Sequence, residues 1–234
     1  MIVSIHQPNF LPWLGYFNKI RRSDYFVFYD WAQYTTNNYI NRCQIKTPQG
    51  VQWLTVPVTY HQGELIRDIK ICNPGRAIPK LLKTIEANYR RARWYDTYCD
   101  DLEYIFQESG GYLARLNIDL ITAITEDWML LYDTKFIYSM NIVHDDSDDA
   151  TDKLIKICQA LDADTYLSGQ GGMGYQNEGK FQTAGIEVIY NEFQHPKYEQ
   201  RWEDLGFMQG LSVLDLVLNN GKESPQILDT MGER

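Results

Sequence analysis

Apolar and polar positions divide the chain into segments of strand and helix length. Ile2-Val3-Ser4-Ile5 reads as a short buried strand that ends abruptly in polar His6 and Gln7. Pro8 cannot donate a ladder hydrogen bond, so the strand is predicted to stop by there. Pro12 suits the first turn of a helix, where its missing N–H is not needed. A helix is therefore expected over about residues 12–20, handing over to a second strand at 25–29 that ends at Asp30. Two alternating runs follow, residues 40–46 and 51–58, joined by Thr47-Pro48-Gln49-Gly50. Pro and Gly in so short a connection predict a β-hairpin, taken as an insertion spanning about 38–60 or an edge extension of the sheet. A further short strand is expected at 66–71.

From residue 78 to about 132 the pattern turns helical, with a break near 89–95 and a stop at Gly110-Gly111. Leu81, Leu82, Ile85 and Tyr89 share one face, and a second long helix is expected over 112–132. A strand at 135–142 follows, then a helix opened by the acidic run at 145–149, where negative charge suits the N-terminal dipole. That run lacks the spacing of a calcium loop and reads as a solvated helix start. Residues 164–168 form a strand running into a glycine-rich turn, 185–190 another strand, and Ser212 caps a last helix at 213–220 before a polar tail. Strands separated by helices predict an α/β fold: one Rossmann-like domain over 1–234, with a mainly parallel sheet, helices on both faces and the inserted hairpin.

Composition narrows the function classes. A net charge of −9 argues against general nucleic-acid binding, which needs a basic face. No apolar run approaches the ~18 residues of a membrane span, and the start lacks the pattern of a signal peptide, so a cytoplasmic location is expected. Cys43, Cys72, Cys99 and Cys158 form no Cys-x-x-Cys pair, so neither a zinc site nor a redox motif is indicated and the thiols are expected to be reduced. Nothing in the sequence names a cofactor or an oligomeric state.

The candidate chemistry collects at predicted strand ends, the side on which open α/β sheets bind ligands. His6, Gln7 and Asn9 follow the first strand; a satisfied core histidine is the alternative for His6. Ser168, Gly169, Gly171 and Tyr175 belong to the glycine-rich turn, where backbone can approach a ligand closely and successive N–H groups can form an anion nest. Gly169-Gln-Gly171-Gly-Met-Gly174 matches Gly-x-Gly-x-x-Gly literally, but lies late in the chain without a ribose-binding acid, and no P-loop is present. Arg42 and Lys46 alternate on one hairpin face, with Asn41 beside them, and suit a phosphate or carboxylate. His195, just after a strand, pairs with His6 as a candidate acid and base. Two histidines without local partners make no metal site.

These stretches resemble a known family. His6-Gln-Pro-Asn-Phe-Leu-Pro-Trp-Leu-Gly-Tyr-Phe17 looks like the opening of the WbqC-like family of bacterial proteins. Asn41-Arg42, Ile45 to Pro48, Gly50, Trp53 to Val58, Leu167-Ser168-Gly169 and His195-Pro196-x-Tyr198-x-Gln200 match it in order. The resemblance implies a group-transfer role in surface-polysaccharide or related small-molecule biosynthesis, of acyl, aminoacyl or sugar-nucleotide type, without a mechanism. An anionic substrate such as a nucleotide sugar or a carrier-bound acyl donor would follow. The layout of the first thirty residues also resembles nucleotidyltransferase-type enzymes, but Tyr16 follows Gly15 where their histidine motif continues. A non-catalytic nucleotide- or sugar-binding accessory protein and a divergent nucleotidyltransferase-like enzyme are the alternatives. If the site reading holds, His6, Arg42, Ser168 and His195 line one cleft, which a structure decides directly.

Overall fold

A computed structural model of the chain describes residues 1–129, 131, 133–139 and 149–232. In chain order the elements are β1 (Ile2–His6), α1 (Leu14–Arg21), β2 (Tyr25–Phe28), β3 (Arg42–Thr47), β4 (Gly50–Thr55), β5 (Val58–Thr59) and β6 (Lys70–Ile71). There follow α2 (Pro74–Tyr89), α3 (Tyr95–Glu108), α4 (Leu113–Ala123) with a π turn at Ile124–Trp128, β7 (Lys135–Tyr138) and α5 (Ala150–Ala160). The chain closes with β8 (Thr165–Ser168), α6 (Glu178–Thr183), β9 (Glu187–Tyr190), α7 (Val213–Asn220) and α8 (Ser224–Asp229).

Five strands form an all-parallel sheet in the order β7-β2-β1-β8-β9. Successive strands move outward from β1 through β2 to β7; the chain then crosses back, and β8 and β9 build the other half. Strand order thus reverses between β1 and β8, a topological switch point. Side chains alternate across the sheet with period two. Val3, Ile5 and Val27 pack with Leu154, Cys158 and Phe181 of α5 and α6, whereas Phe26 and Phe28 join α1 and the helical section in a larger core. Helices therefore cover both faces, as expected of an α/β Rossmann-like fold. Among the described residues no helix is long and apolar enough to cross a membrane.

β3 and β4 pair antiparallel as a separate two-stranded ribbon, with Arg42 opposite Thr55 and Thr47 opposite Gly50. Gly50 has φ +100°, the left-handed conformation this tight reversal needs. The hairpin is joined to the body by a buried amide: Asn117 of α4 donates to the carbonyls of Pro8 at 2.9 Å and Ile40 at 2.7 Å.

Three expectations are corrected. α1 begins at Leu14, not at Pro12, because residues 12 and 13 are held extended: Val213 N–H donates to the Pro12 carbonyl at 2.8 Å, and Trp13 bridges Ser212. Residues 66–71 are not one strand; a 3₁₀ turn at Ile66–Asp68 precedes the two-residue β6. The tail is not merely polar, since α8 buries Leu228, with Met231 just beyond it. The predicted strand end past Ser139, residues 130 and 132, and the acidic run before Asp149 lie outside the described residues. Asp149 itself caps α5, accepting from Asp152 N–H.

Lys46 also departs from expectation. Its side chain is 1 % exposed, and Nζ donates to the Gly206 carbonyl at 2.7 Å and to Gln200 Oε1 at 3.3 Å. Nearby, Tyr89 donates to Asp215, and burial pushes the Asp215 carboxyl up to about 6. The segment following β9 covers the hairpin face that carries Lys46. Lys46 is a structural pin, because a buried ammonium needs fixed acceptors and has them here. Lys46→Ala is expected to destabilise the fold by roughly 3 kcal/mol through a cavity and a Gly206 carbonyl left without its donor, since Gln200 Oε1 keeps the Met208 N–H. Denaturant unfolding reads this; unchanged stability would return Lys46 to the list of free cations.

Candidate functional site

A cavity of about 850 Å³ opens at the carboxyl end of β1. Its floor is Ile5, His6 and Gln7; one wall is Ser168, Gly169 and Gly171 after β8; the other comprises Tyr29, Trp31 and Gln33 after β2. Ala150 and Lys153 of α5 and Tyr175 complete the rim, and Lys19 of α1 and Tyr166 of β8 lie deeper. This is the switch-point crevice where ligands of open α/β sheets bind.

His6 is held by its own backbone neighbourhood. Nδ1 donates to the Gln7 carbonyl at 2.9 Å, the Tyr16 hydroxyl donates to the same oxygen at 3.1 Å, and the Tyr16 ring meets the imidazole edge-on at 4.7 Å. With Nδ1–H so engaged, Nε2 carries the lone pair. Burial, then the positive charge of Lys19, lower the His6 pKa to about 3, so the ring is neutral at physiological pH.

Lys19 was not among the residues singled out from the sequence, yet it is central. It is 2 % exposed, and Nζ donates to the Ile5 carbonyl at 2.9 Å. Among the described residues no carboxylate is within ion-pair distance of it, and burial lowers its pKa to about 7. Its helix is pinned by a buried amide relay: Asn18 donates to Asn191, and Asn191 donates to the Gly15 carbonyl, each at 2.9 Å. Gly15 is required there, because a Cβ would collide with Trp13 and Phe193. The relay carries the residues after β9 to α1 and so fixes where Lys19 points.

The glycine-rich turn winds as a 3₁₀ segment, Gln170–Gly174, and none of its glycines takes positive φ. It therefore lacks the left-handed residue of an alternating anion nest. Its glycines serve clearance instead. A Cβ at Gly172 would strike Ser168 Oγ and the Gln176 amide, while one at Gly169 or Gly171 would enter open space at the cavity wall. Ser168 Oγ lies 2.9 Å from Gln176 Oε1, and Gln176 reaches the Tyr166 hydroxyl at 3.3 Å.

The structure brings together His6, Gln7, Ser168, Gly169, Gly171 and Tyr175, and adds Lys19, Lys153 and Tyr166. It does not bring Asn9, Asn41, Arg42, Lys46 or His195 to the cavity. Asn9 is buried outside the lining. Asn41 donates to the Val56 carbonyl at 2.9 Å, a strand-entry bond. Arg42 stacks 4.2 Å from the Trp53 ring and donates to the Asn37 carbonyl. His195 uses both ring nitrogens locally: Nδ1 bonds the Pro196 carbonyl at 2.9 Å and Nε2 accepts from Gly210 N–H at 3.2 Å. The expected pairing of His6 with His195 therefore has no geometric basis. Among the described residues no cluster of three His, Cys, Asp or Glu suits a metal ion.

The lining is electrostatically one-sided. The chain carries 31 Asp and Glu against 22 Lys and Arg, yet among its described lining residues the cavity has Lys19, Lys153 and His6 and no carboxylate.

Comparison with known proteins agrees with the resemblance seen in the sequence motifs. The model of the WbqC-like protein family matches residues 7–227. An uncharacterized protein of Mycobacterium tuberculosis is 35 % identical over 232 residues, covering 97 % of this chain and 96 % of its own length. No solved structure matches the chain significantly.

The burial of Lys19 has a measurable cost. Its pKa falls from 10.5 unfolded to about 7 folded, so between these values the unfolded chain binds more protons and stability drops as pH falls. Lys19→Met removes that penalty and loses one hydrogen bond to Ile5. The variant is expected to melt roughly 4 °C or more above wild type at pH 7, with the difference shrinking as pH rises toward 10.5. A pH-independent loss of stability would mean that Lys19 is a structural pin.

Proposed function

The chain belongs to the WbqC-like protein family, and from that premise and the cleft we propose that it is a group-transfer enzyme whose donor is an anionic small molecule. The observation that carries this reading is a switch-point cavity with two lysines, a neutral histidine and no lining carboxylate among the described residues, in a chain of net charge −9. Phosphates of a nucleotide sugar or of a carrier-bound acyl donor would meet Lys153, Lys19 and the Ser168–Gly171 wall. Tyr175, exposed on the rim, offers a ring face to a base or another flat group. Surface-polysaccharide or related small-molecule biosynthesis is the setting the family resemblance implies.

Within this reading His6 is the acid–base residue. Nε2 faces the donor as an acceptor, ready to take a proton from an acceptor hydroxyl or amine. Its low pKa in the empty cleft comes mainly from burial and partly from Lys19. A bound anion offsets the second contribution and moves the imidazole toward the range useful for proton transfer. Ser168 and Gln7 orient the ligand through hydrogen bonds. The low empty-state pKa is also what a binding protein without proton transfer would show, which supports the accessory-subunit alternative.

Calorimetric titration with pyrophosphate and with nucleoside diphosphates is expected to show binding that weakens with salt. Lys19→Met and Lys153→Gln should each weaken it about tenfold, roughly 1.4 kcal/mol, while Arg42→Met should not. With a donor found by thermal-shift screening, His6→Ala should abolish turnover and keep affinity within a few-fold. Equal loss of both would favour the accessory-protein reading, and no anion binding at all would end the proposal.

A further inference from the structure

Lys19 sits in a way that neither anion binding nor structural pinning requires. A lysine that only attracts anions does so best from the rim, where Lys153 of α5 stands. A lysine that only pins the fold is surrounded by acceptors away from any cavity, as Lys46 is by Gly206 and Gln200. Among the described residues Lys19 has a single hydrogen-bond acceptor, the Ile5 carbonyl, and it lines the cavity with Ile5, Leu154 and Tyr166. Its Nζ lies 5.9 Å from the Tyr166 ring centroid. In the neutral amine one N–H serves Ile5, and the lone pair remains available on the cavity side. Burial brings the pKa to about 7, so much of the amine is unprotonated at neutral pH.

We propose that Lys19 is a nucleophile, and that the anionic substrate of this cleft carries an aldehyde or ketone that Lys19 holds as an imine. The inference rests on the anion-cleft reading and names the substrate class within it. The Nζ lone pair attacks the carbonyl carbon, the C–O π bond breaks, and oxygen takes that electron pair and a proton to give a carbinolamine. Nitrogen then loses its second proton as the hydroxyl departs as water, forming the C=N bond. Amine and carbonyl yield imine and water, and no oxidant or reductant takes part. His6 Nε2 is a base in the same lining, able to accept the proton from nitrogen and return it to the departing hydroxyl.

Pyridoxal 5′-phosphate serves as a probe, being a phosphate-bearing aldehyde; pyridoxine 5′-phosphate is its counterpart without a carbonyl. The full-length protein is treated with the aldehyde at pH 7, reduced with borohydride and mapped by peptide mass spectrometry. The expected result is an adduct at Lys19 at least tenfold above any other lysine, suppressed by excess pyridoxine phosphate. The labelling rate should rise with pH around a midpoint near 7 rather than the ordinary 10.5. Lys19→Arg should lose the adduct at this position and still bind pyridoxine phosphate. Binding of pyridoxine phosphate with no preference of the aldehyde for Lys19 overturns the imine proposal and leaves the anion cleft standing. Failure of both phosphates to bind overturns the anion cleft, and this inference with it.

Discussion

β1 is hydrogen-bonded along both edges, to β2 from Val3 through His6 and to β8 at Ile2 and Val3. A strand enclosed on both sides and covered on both faces has one outlet for polar groups, its carboxyl end. There the pairing with β8 has already stopped, while the pairing with β2 continues. The Ile5 carbonyl is left to find a donor, and Lys19 reaches back from the next helix to supply it. That bond sets the depth of the cavity. It also draws a cation into an interior where an uncompensated charge is costly. Ser4 shows the same constraint one residue earlier, bonded to Ser23 and to the Leu167 carbonyl so that β1, β8 and the end of α1 stay in register.

The sheet was legible because its strands are short apolar runs bounded by polar or glycine punctuation, and β1, β2, β8 and β9 stand close to where that pattern puts them. The errors share a cause, which is partners distant in sequence. Pro12 has a good helix-starting context, but its carbonyl is taken by Val213, some two hundred residues away, and the backbone there stays extended. Residues 66–71 alternate like a strand, yet the Ile66 and Arg67 N–H groups bond the carbonyls of Ala32 and Asp30 and curl the segment into a turn. Local pattern cannot register a hydrogen bond made by a loop on the other side of the fold.

The cleft was half legible for a related reason. His6, Gln7 and Ser168 to Gly171 follow from strand ends alone. Lys19 lies in Asn-Lys-Ile-Arg-Arg, which reads as an ordinary basic helix end favoured by the dipole. The structure shows what the sequence did not signal: every residue from Leu14 to Ile20 is buried, so Lys19 faces the interior. Arg42 and Lys46 misled in the opposite direction. Alternation correctly puts them on one hairpin face, but the 195–210 segment folds over that face, and the motif at His195, Tyr198 and Gln200 is part of this cover. Gln200 meets Lys46, and His195 accepts from Gly210. The matching family motifs therefore divide in two: one set surrounds a cavity, the other fastens a hairpin.

Among the described residues the cavity lining carries two lysines and no carboxylate in an acidic protein, and α5 shows how two acids are engaged elsewhere. Ala150, Lys153 and Leu154 line the cavity. Asp149 and Asp152, interleaved with them, meet Lys180 of α6 at 2.7 and 2.8 Å. Exposed pairs of this kind add little to stability. Their consequence is directional: Lys180 engages Asp149 and Asp152, while Lys153 of the same helix lines the cavity, where no carboxylate stands among the described lining residues. The Asp149 carboxylate, accepting from Asp152 N–H and Lys180, anchors the start of the helix that carries Lys153, as the Ile5 carbonyl anchors Lys19 in the interior. Lys19 is held by the Ile5 carbonyl before any ligand enters, so a group that met it would lose little binding energy to reorganising it.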